Sequence, residues 1–209
     1  FVPALDLTTA VTATSGRGVG IGTQNIHFEK KGAFTGENSP EAAKAAGCEW
    51  TLVGHSERRS LFDETDLITA KKMKLALECG LKPMLCVGES LDERTAGETM
   101  KVVERQLTVG LETMTDTDWA SVTIAYEPVW AIGTGKVATP EQASEVHTAI
   151  RGWLERRAGA DVAAAMPILY GGSAKPENFR EIASQKNIDG FLVGGASLEA
   201  ESFLKFCAW

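Results

Sequence analysis

Long apolar stretches are absent from this 209-residue sequence. A membrane-spanning helix needs about 18 or more consecutive apolar residues, and no run in the chain approaches that length. Residues 1–6 also lack the cationic region and long apolar stretch of a secretory signal. We therefore expect no membrane partner and a cytoplasmic location. With 44% hydrophobic residues the chain can bury a core, and we expect a single domain over residues 1–209.

Basic residues are scarce relative to acidic ones. The chain has 21 lysines and arginines against 28 aspartates and glutamates, a formal net charge of −7. Nucleic acids and anionic membranes select a concentrated basic surface, so this balance argues against both as partners. An anionic ligand must then be held by local groups.

Cysteine and histidine are also few. The cysteines lie far apart without paired Cys-x-x-Cys spacing, and the three histidines are too scattered to form a cluster with them. The sequence therefore predicts free, mostly buried thiols and no metal site. The residues concerned are Cys48, Cys79, Cys86 and Cys207, with His27, His55 and His147.

What the sequence does contain is an alternation of short apolar runs with longer helical segments. Because the runs are continuous, without polar residues at alternate positions, they fit parallel strands covered by helices. Six such runs occur, at residues 19–23, 50–54, 83–87, 122–126, 167–170 and 190–193.

Capping residues mark the starts of several helices. Residues 139–142 (Thr-Pro-Glu-Gln) combine an N-cap hydroxyl, a proline at the first helical position and a glutamine that completes a capping box. Residues 90–93 (Ser-Leu-Asp-Glu) form a second capping box, and residues 39–41 (Ser-Pro-Glu) a partial third. These signals predict helices after the strands.

A helix predicted over residues 66–79 places Ile68, Leu75 and Cys79 on one side and stops at Gly80, a favoured C-terminal residue. Alternation of this kind gives either an open doubly wound sheet or a closed (β/α) barrel, and periodicity does not choose between them. In both architectures the chemistry lies at the C-terminal ends of the strands.

One strand end carries a single carboxylate. Glu127 follows the run 122–126, and Pro128 holds it in an extended conformation. Residues 128–136 combine a stiff Pro-Val-Trp entry, a tip of small residues and Lys136, which is typical of a segment that closes over a ligand. A strand-to-helix turn without function also fits, so this segment alone leaves both interpretations open.

Two further strand ends are rich in glycine. Residues 171–174 (Gly-Gly-Ser-Ala) and 194–197 (Gly-Gly-Ala-Ser) let backbone N–H groups approach a ligand, and the helix starts after them add a favourable dipole. Either pair alone would more often be a tight turn. Their place after the last two strands matches the phosphate position of a barrel, which favours a functional interpretation.

His55 follows the second run and opens a short helical segment. Nearby helix N–H groups penalise its cation, so the neutral ring can donate a hydrogen bond to a substrate oxygen. Glu57, Arg58 and Arg59 are interpreted as a local ion-pair network. His27, in a polar loop, and His147, within a predicted helix, are assigned no functional role.

Two segments closely resemble the signatures of the triosephosphate isomerase family: residues 53–59 (VGHSERR) and 125–136 (AYEPVWAIGTGK). Residues 22–25, 32–37, 86–89, 170–173 and 189–198 are also similar to that family, in its order. The resemblance spans nearly the whole chain. It implies an α/β fold of the TIM (β/α)8 barrel type. The implied activity, in glycolysis and gluconeogenesis, interconverts dihydroxyacetone phosphate and D-glyceraldehyde 3-phosphate through an enediolate, without a cofactor.

The resemblance also implies roles for individual residues. Glu127 would be the catalytic base and His55 the electrophile, while residues 128–136 form a lid that Tyr170 and Ser173 latch when closed. The phosphate-binding residues would be Gly133, Ser173, Gly194 and Gly195. Residues of the lid and its surroundings would be Ser56, Glu57, Pro128, Trp130, Lys136 and Tyr170. The loop Gln24–Glu37 would form a homodimer, with Thr35 near its tip reaching the neighbouring active site.

The sequence departs from the family at its start. The family begins with a strand carrying an Asn-x-Lys motif, whose lysine neutralises substrate charge, and no such motif precedes Phe1. Residues 1–5 resemble the end of the second strand, so roughly 40 residues of a typical ~250-residue barrel are expected to be absent, namely the first βα unit and most of strand 2. The alternative interpretation is therefore a catalytically impaired barrel fragment that binds sugar phosphate or a partner chain without turnover. A Schiff-base aldolase is disfavoured, because no predicted strand ends with a lysine.

Overall fold

The computed structural model describes residues 1–134 and 136–208 and divides the chain into two compact units. The first unit comprises Phe1–Cys86 and Leu107–Thr123, and the second Val87–Gln106 and Ile124–Trp209. Parallel strands alternate with helices in each unit, which confirms the α/β class.

In the first unit, β1 (Gly22–Thr23), β2 (Trp50–Val53) and β3 (Lys82–Val87, whose last residue belongs to the second unit) pair in parallel, each with the next along the chain. Val2 forms a parallel bridge with Thr23 before the chain enters a 3₁₀ turn, so residues 1–5 run as a strand end into a helix, as predicted. The other elements are the 3₁₀ turn Ala4–Asp6, α1 (Leu7–Thr14), α2 (Pro40–Ala45), α3 (Ser56–Leu61), α4 (Asp66–Glu78) and a 3₁₀ turn at Trp119–Ser121.

The second unit repeats this pattern. The strands β4 (Thr123–Tyr126, whose first residue belongs to the first unit), β5 (Ile168–Tyr170) and β6 (Gly190–Phe191) also pair in parallel and in chain order. Its helices are α5 (Leu91–Thr95), α6 (Thr99–Gly110, which continues into the first unit), α7 (Pro140–Ala158), α8 (Ala160–Ala165), α9 (Phe179–Ala183) and α10 (Ala200–Cys207), with 3₁₀ turns at Val129–Ala131 and Gly195–Ser197.

The predicted capping residues act as helix starts. Thr139 and Ser90 each form a complete capping box, with Gln142 and Glu93 as the returning side chains. Ser39 caps α2 by accepting a hydrogen bond from the N–H group of residue 42. Because each cap directly follows a loop after a strand, these hydroxyls fix where the chain leaves the loop and enters the helix.

The buried face of α4 differs from the prediction. Ile68 and Cys79 are partly exposed, whereas Thr69, Lys72, Met73 and Ala76 are buried. These four positions have the spacing of one helix stripe, and the hydrophobic pattern missed it because two of the four are polar. Leu75 is buried as predicted, and Gly80 follows the helix end with a left-handed φ of 73°.

Each unit has its own core. In the first, Leu7, Ile26, Ala43, Cys48, Ala76 and Leu81 pack together. In the second, Phe179 and Phe206 pack with ring centroids 4.7 Å apart. No disulfide joins the four cysteines, which all lie within the described residues, and only Cys48 and Cys86 are buried, so the prediction of mostly buried thiols holds for half of them.

Candidate functional site

His55 stands between β2 and α3 as the N-cap residue of that helix. Its Nδ1 atom accepts a hydrogen bond of 3.3 Å from the backbone N–H of Glu57. Because an accepting Nδ1 carries no proton, this hydrogen bond assigns the proton of the neutral ring to Nε2. The remaining ring nitrogen is then a donor, as the sequence predicts for an electrophile.

A cavity of about 540 Å³ opens beside His55 within the first unit. Gln24, Asn25, Glu57 and Arg58 supply polar groups to its lining. Ser56 follows His55 as the first residue of α3 and is buried. The side chain of Glu57, the next residue, is 69% exposed. The carboxylate of Glu57 lies 3.8 Å from His55 Nδ1 and makes a peripheral contact.

The predicted ion-pair network exists, but its acidic partners lie outside the VGHSERR segment. Arg58 pairs with Glu64 at 2.8 Å and Arg59 with Asp66 at 2.5 Å. Lys72, buried in α4, also pairs with Glu64. Burial works against the Glu64 carboxylate, but the hydrogen bonds and charges of Lys72 and Arg58 lower its pKa.

Sequence reasoning missed Glu64 and Lys72. Glu64 reaches its position because Asp63 adopts a left-handed φ of 53°, which turns the chain after α3 back towards the end of β2. Glu64 Oε1 there accepts a hydrogen bond of 3.0 Å from the N–H group of Gly54. A charged residue at a helix-stripe position, as with Lys72, is the signal that could have indicated this network.

Glu127 lies directly after β4 in the second unit and is 2% exposed. Its N–H group donates to the carbonyl of Val87 at 2.7 Å. A side chain at Gly88 would collide with the Glu127 carbonyl oxygen, and one at Gly171 would lie 2.9 Å from Glu127 Cγ. Gly88 and Gly171 therefore leave room for the Glu127 backbone carbonyl and for the base of its side chain.

Glu89 is a second buried carboxylate of the same unit, and the sequence patterns predict no role for it. It is 0% exposed and accepts hydrogen bonds from Tyr126 Oη at 3.1 and 3.2 Å and from Trp130 Nε1 at 2.9 Å. Arg94 pairs with it at 3.0 Å and stacks over the Trp130 ring at 4.7 Å. Glu89 therefore anchors the first turn of the predicted lid.

The predicted lid starts at Pro128 and enters a 3₁₀ turn at Val129–Ala131. The Ser173 hydroxyl donates to the carbonyl of Ala131 at 2.5 Å, so Ser173 contacts the first turn of the predicted lid. Gly133, with a left-handed φ of 68°, and Lys136 are both exposed. Gly135, part of the predicted small-residue tip, lies outside the described residues.

Tyr170, the other predicted latch residue, is fully buried beneath the Gly171-Gly172 turn. Its hydroxyl has no hydrogen-bond partner within residues 1–134 and 136–208, and burial raises its pKa to about 12. Gly194 and Gly195 are exposed, and apart from their chain neighbours no atom of residues 1–134 and 136–208 lies within 4 Å of where their side chains would begin. Their backbone is therefore open to a ligand.

His147 and His27 pack as side chains in the interior. His147 Nδ1 lies 2.9 Å from the carbonyl of Asn187, and burial lowers its pKa to about 4. His27 lies in the predicted dimer loop with ring centroids 4.3 Å from Phe28 and 4.2 Å from Phe34. That loop thus contains a cluster of three ring side chains, although its composition is polar.

No group of three His, Cys, Asp or Glu side chains among the described residues is arranged to hold a metal ion. Over the same part of the chain, no helix combines the length and apolar character needed to cross a membrane.

Comparison with known proteins gives consistent matches. The model of the family described as Triosephosphate isomerase matches residues 1–209. The chain is 50% identical over 197 residues to triosephosphate isomerase of Citrifermentans bemidjiense, covering 94% of this chain and 78% of that protein. It is 49% identical over 197 residues to the Emericella nidulans enzyme, with 94% and 79% covered. Against the chloroplastic form of Secale cereale it is 51% identical over 187 residues, with 90% and 62% covered.

Proposed function

The chain belongs to the triosephosphate isomerase family, whose activity is an aldose–ketose isomerisation, and we propose that Glu127 and His55 perform it as base and electrophile. The observation that carries this assignment is the buried Glu127, which follows a parallel strand and whose backbone and Cγ fit only beside the glycines Gly88 and Gly171. The Nε2 proton of His55, assigned from its Nδ1 hydrogen bond, supports the second role.

The proposed reaction moves one proton between adjacent carbons of dihydroxyacetone phosphate. Glu127 removes a proton from the carbon next to the carbonyl group, and the electron pair moves onto the carbonyl oxygen to give an enediolate. His55 donates a hydrogen bond to that oxygen, and the oxygens exchange a proton through the ring. Glu127 then returns its proton to the neighbouring carbon, which yields glyceraldehyde 3-phosphate with no cofactor consumed.

We further propose that backbone N–H groups of Gly133, Ser173, Gly194 and Gly195 bind the phosphate. Gly133, Gly194 and Gly195 are exposed, and the open space at the last two supports this role. Main-chain donors also suit a protein whose net charge is negative, because they bind an anion without a basic side chain. Residues 128–136 would close over the substrate, exclude water and prevent loss of phosphate from the enediolate.

Two broader proposals accompany the site. We propose that the loop Gln24–Glu37 forms a homodimer, because its His27, Phe28 and Phe34 side chains give it a defined shape while Thr35 stays exposed. We also propose a cytoplasmic location, which the acidic composition permits; the similarity extends to a relative named as chloroplastic.

The test is a coupled isomerase assay on protein whose intact mass has first been compared with 22.4 kDa. Glu127→Asp retracts the carboxylate by about 1 Å and should lower kcat roughly a hundredfold. His55→Gln should cost a comparable factor. Glu145→Asp, at an exposed position of α7, is the matched control. Activity that ignores Glu127→Asp would overturn the base assignment, and substrate binding without turnover would favour the impaired-fragment alternative.

A further inference from the structure

Gly54, the residue before His55, is held on both sides by charged side chains. Glu64 accepts a hydrogen bond from its N–H group at 3.0 Å, and Arg59 Nε donates to its carbonyl at 2.7 Å. That carbonyl belongs to the same planar peptide as the N–H group of His55. The orientation of this peptide therefore sets the direction in which the His55 backbone, and with it the ring, leaves β2.

Arg59 holds this peptide from a rigid support. Its Nη1 atom pairs with Asp66 at the start of α4, and its Nη2 atom lies 3.4 Å from the carbonyl of Cys86 on β3. Its side chain is 17% exposed. One guanidinium thus connects its own helix α3 to the ends of two strands and to α4.

The space around Gly54 leaves this arrangement little freedom. Gly54 has a left-handed φ of 73°, and a side chain there would lie 2.9 Å from Arg59 Nη2 and 3.1 Å from Thr69 Cγ2. The guanidinium therefore packs directly on the glycine. A planar fork that donates in several directions is required, and the single ammonium of lysine cannot reproduce it.

We propose that Arg59 is a positioning residue for His55: by fixing the Gly54–His55 peptide, it aims the imidazole Nε2–H group at the reacting oxygens. This inference rests on the proposed role of His55 as electrophile. Arg59 acts through the backbone and touches no substrate, so its removal should lower kcat and leave KM nearly unchanged.

The test is a double-mutant cycle of Arg59→Lys with His55→Gln in the coupled assay. Arg59→Lys alone should lower kcat about tenfold to a hundredfold, because displacing a catalytic group by about 1 Å costs that much. In the His55→Gln background the same substitution should have almost no further effect on kcat. Arg156→Lys is the control, since Arg156 is an exposed arginine paired with Glu104.

The outcomes separate the two proposals. If His55→Gln leaves kcat unchanged, the proposed function of His55 fails. If it lowers kcat but Arg59→Lys costs the same factor in both backgrounds, Arg59 is structural and the inference fails. An ¹⁵N spectrum of the His55 ring gives a readout independent of turnover: Arg59→Lys should shift its signals and Arg156→Lys should not. Unshifted signals in Arg59→Lys would overturn the inference by themselves.

Discussion

Replacing Glu89 with glutamine should remove a large part of the protein's stability, although the substitution changes a single atom. The carboxylate is 0% exposed and accepts from three donors, Tyr126, Trp130 and Arg94, at 2.9–3.2 Å. Trp130 Nε1 and Arg94 both donate to Oε1, and Tyr126 Oη lies within 3.2 Å of both oxygens. In glutamine these donors must share one neutral oxygen, and Arg94 loses its counter-charge.

The magnitude follows from these contacts. A hydrogen bond to a charged group contributes about 1.5–3 kcal/mol, and breaking a buried ion pair from one side costs about 3–5 kcal/mol. Arg94 is 22% exposed and water can partly solvate it, so we expect a loss of about 3 kcal/mol. Domains of this kind have about 5–15 kcal/mol of stability in total, so the loss should be easy to measure.

Urea unfolding followed by tryptophan fluorescence is the assay. Glu89→Gln should lower the transition midpoint by roughly 1–2 M, whereas Glu104→Gln, which breaks one exposed pair with Arg156, should shift it little. A cycle with Tyr126→Phe should give a coupling free energy of about 1 kcal/mol or more. Equal midpoints for Glu89→Gln and Glu104→Gln would refute the reasoning.

Three further predictions concern the second unit. Gly88→Ala drives a methyl group into the Glu127 carbonyl oxygen and should lower kcat about a hundredfold in the coupled assay; normal kcat would show that Glu127 can shift without harm. Ser173→Ala removes the hydroxyl that binds the Ala131 carbonyl and should speed limited proteolysis of the lid, which a phosphorylated two-carbon acid should slow. Burial lowers the His147 pKa from 6.5 to about 4, so the unfolded chain binds the extra proton between these pH values. The contribution of His147 to the free energy of unfolding should therefore be complete above pH 6.5, and about 3 kcal/mol of it should be lost as the pH falls towards 4. If a His147→Gln variant loses the same free energy of unfolding between pH 6.5 and 4 as the wild type, the prediction is contradicted.

Local chemistry made much of the fold predictable. Continuous apolar runs mark the six strands of the described part of the chain, and the hydroxyl caps at Ser39, Ser90 and Thr139 mark three helix starts, because both signals depend on neighbours in sequence. Strand lengths were less accurate. The run 19–23 forms a strand only over its last two residues, and Val19 is 55% exposed.

Two of the residues that escaped prediction have partners distant in sequence. Glu89 accepts a hydrogen bond from Trp130, 41 residues later, and the buried Lys72 donates to Asn25, 47 residues earlier. Nothing in the local pattern of either residue shows which donor or acceptor will reach it. The positions of Glu127 and His55, in contrast, follow from strand ends, which the sequence marks directly.

The left-handed backbone of Asp63 restricts which residues evolution or mutagenesis can place there. A non-glycine residue in this region costs about 1 kcal/mol or more, and a β-branched side chain costs further. Glycine and asparagine should be accepted at position 63, while valine or isoleucine should straighten the turn and withdraw Glu64 from the Gly54 amide. A saturation library at this position should therefore retain small flexible residues, and insertions into the α3–α4 connection should be poorly tolerated even though Asp63 itself is exposed to solvent.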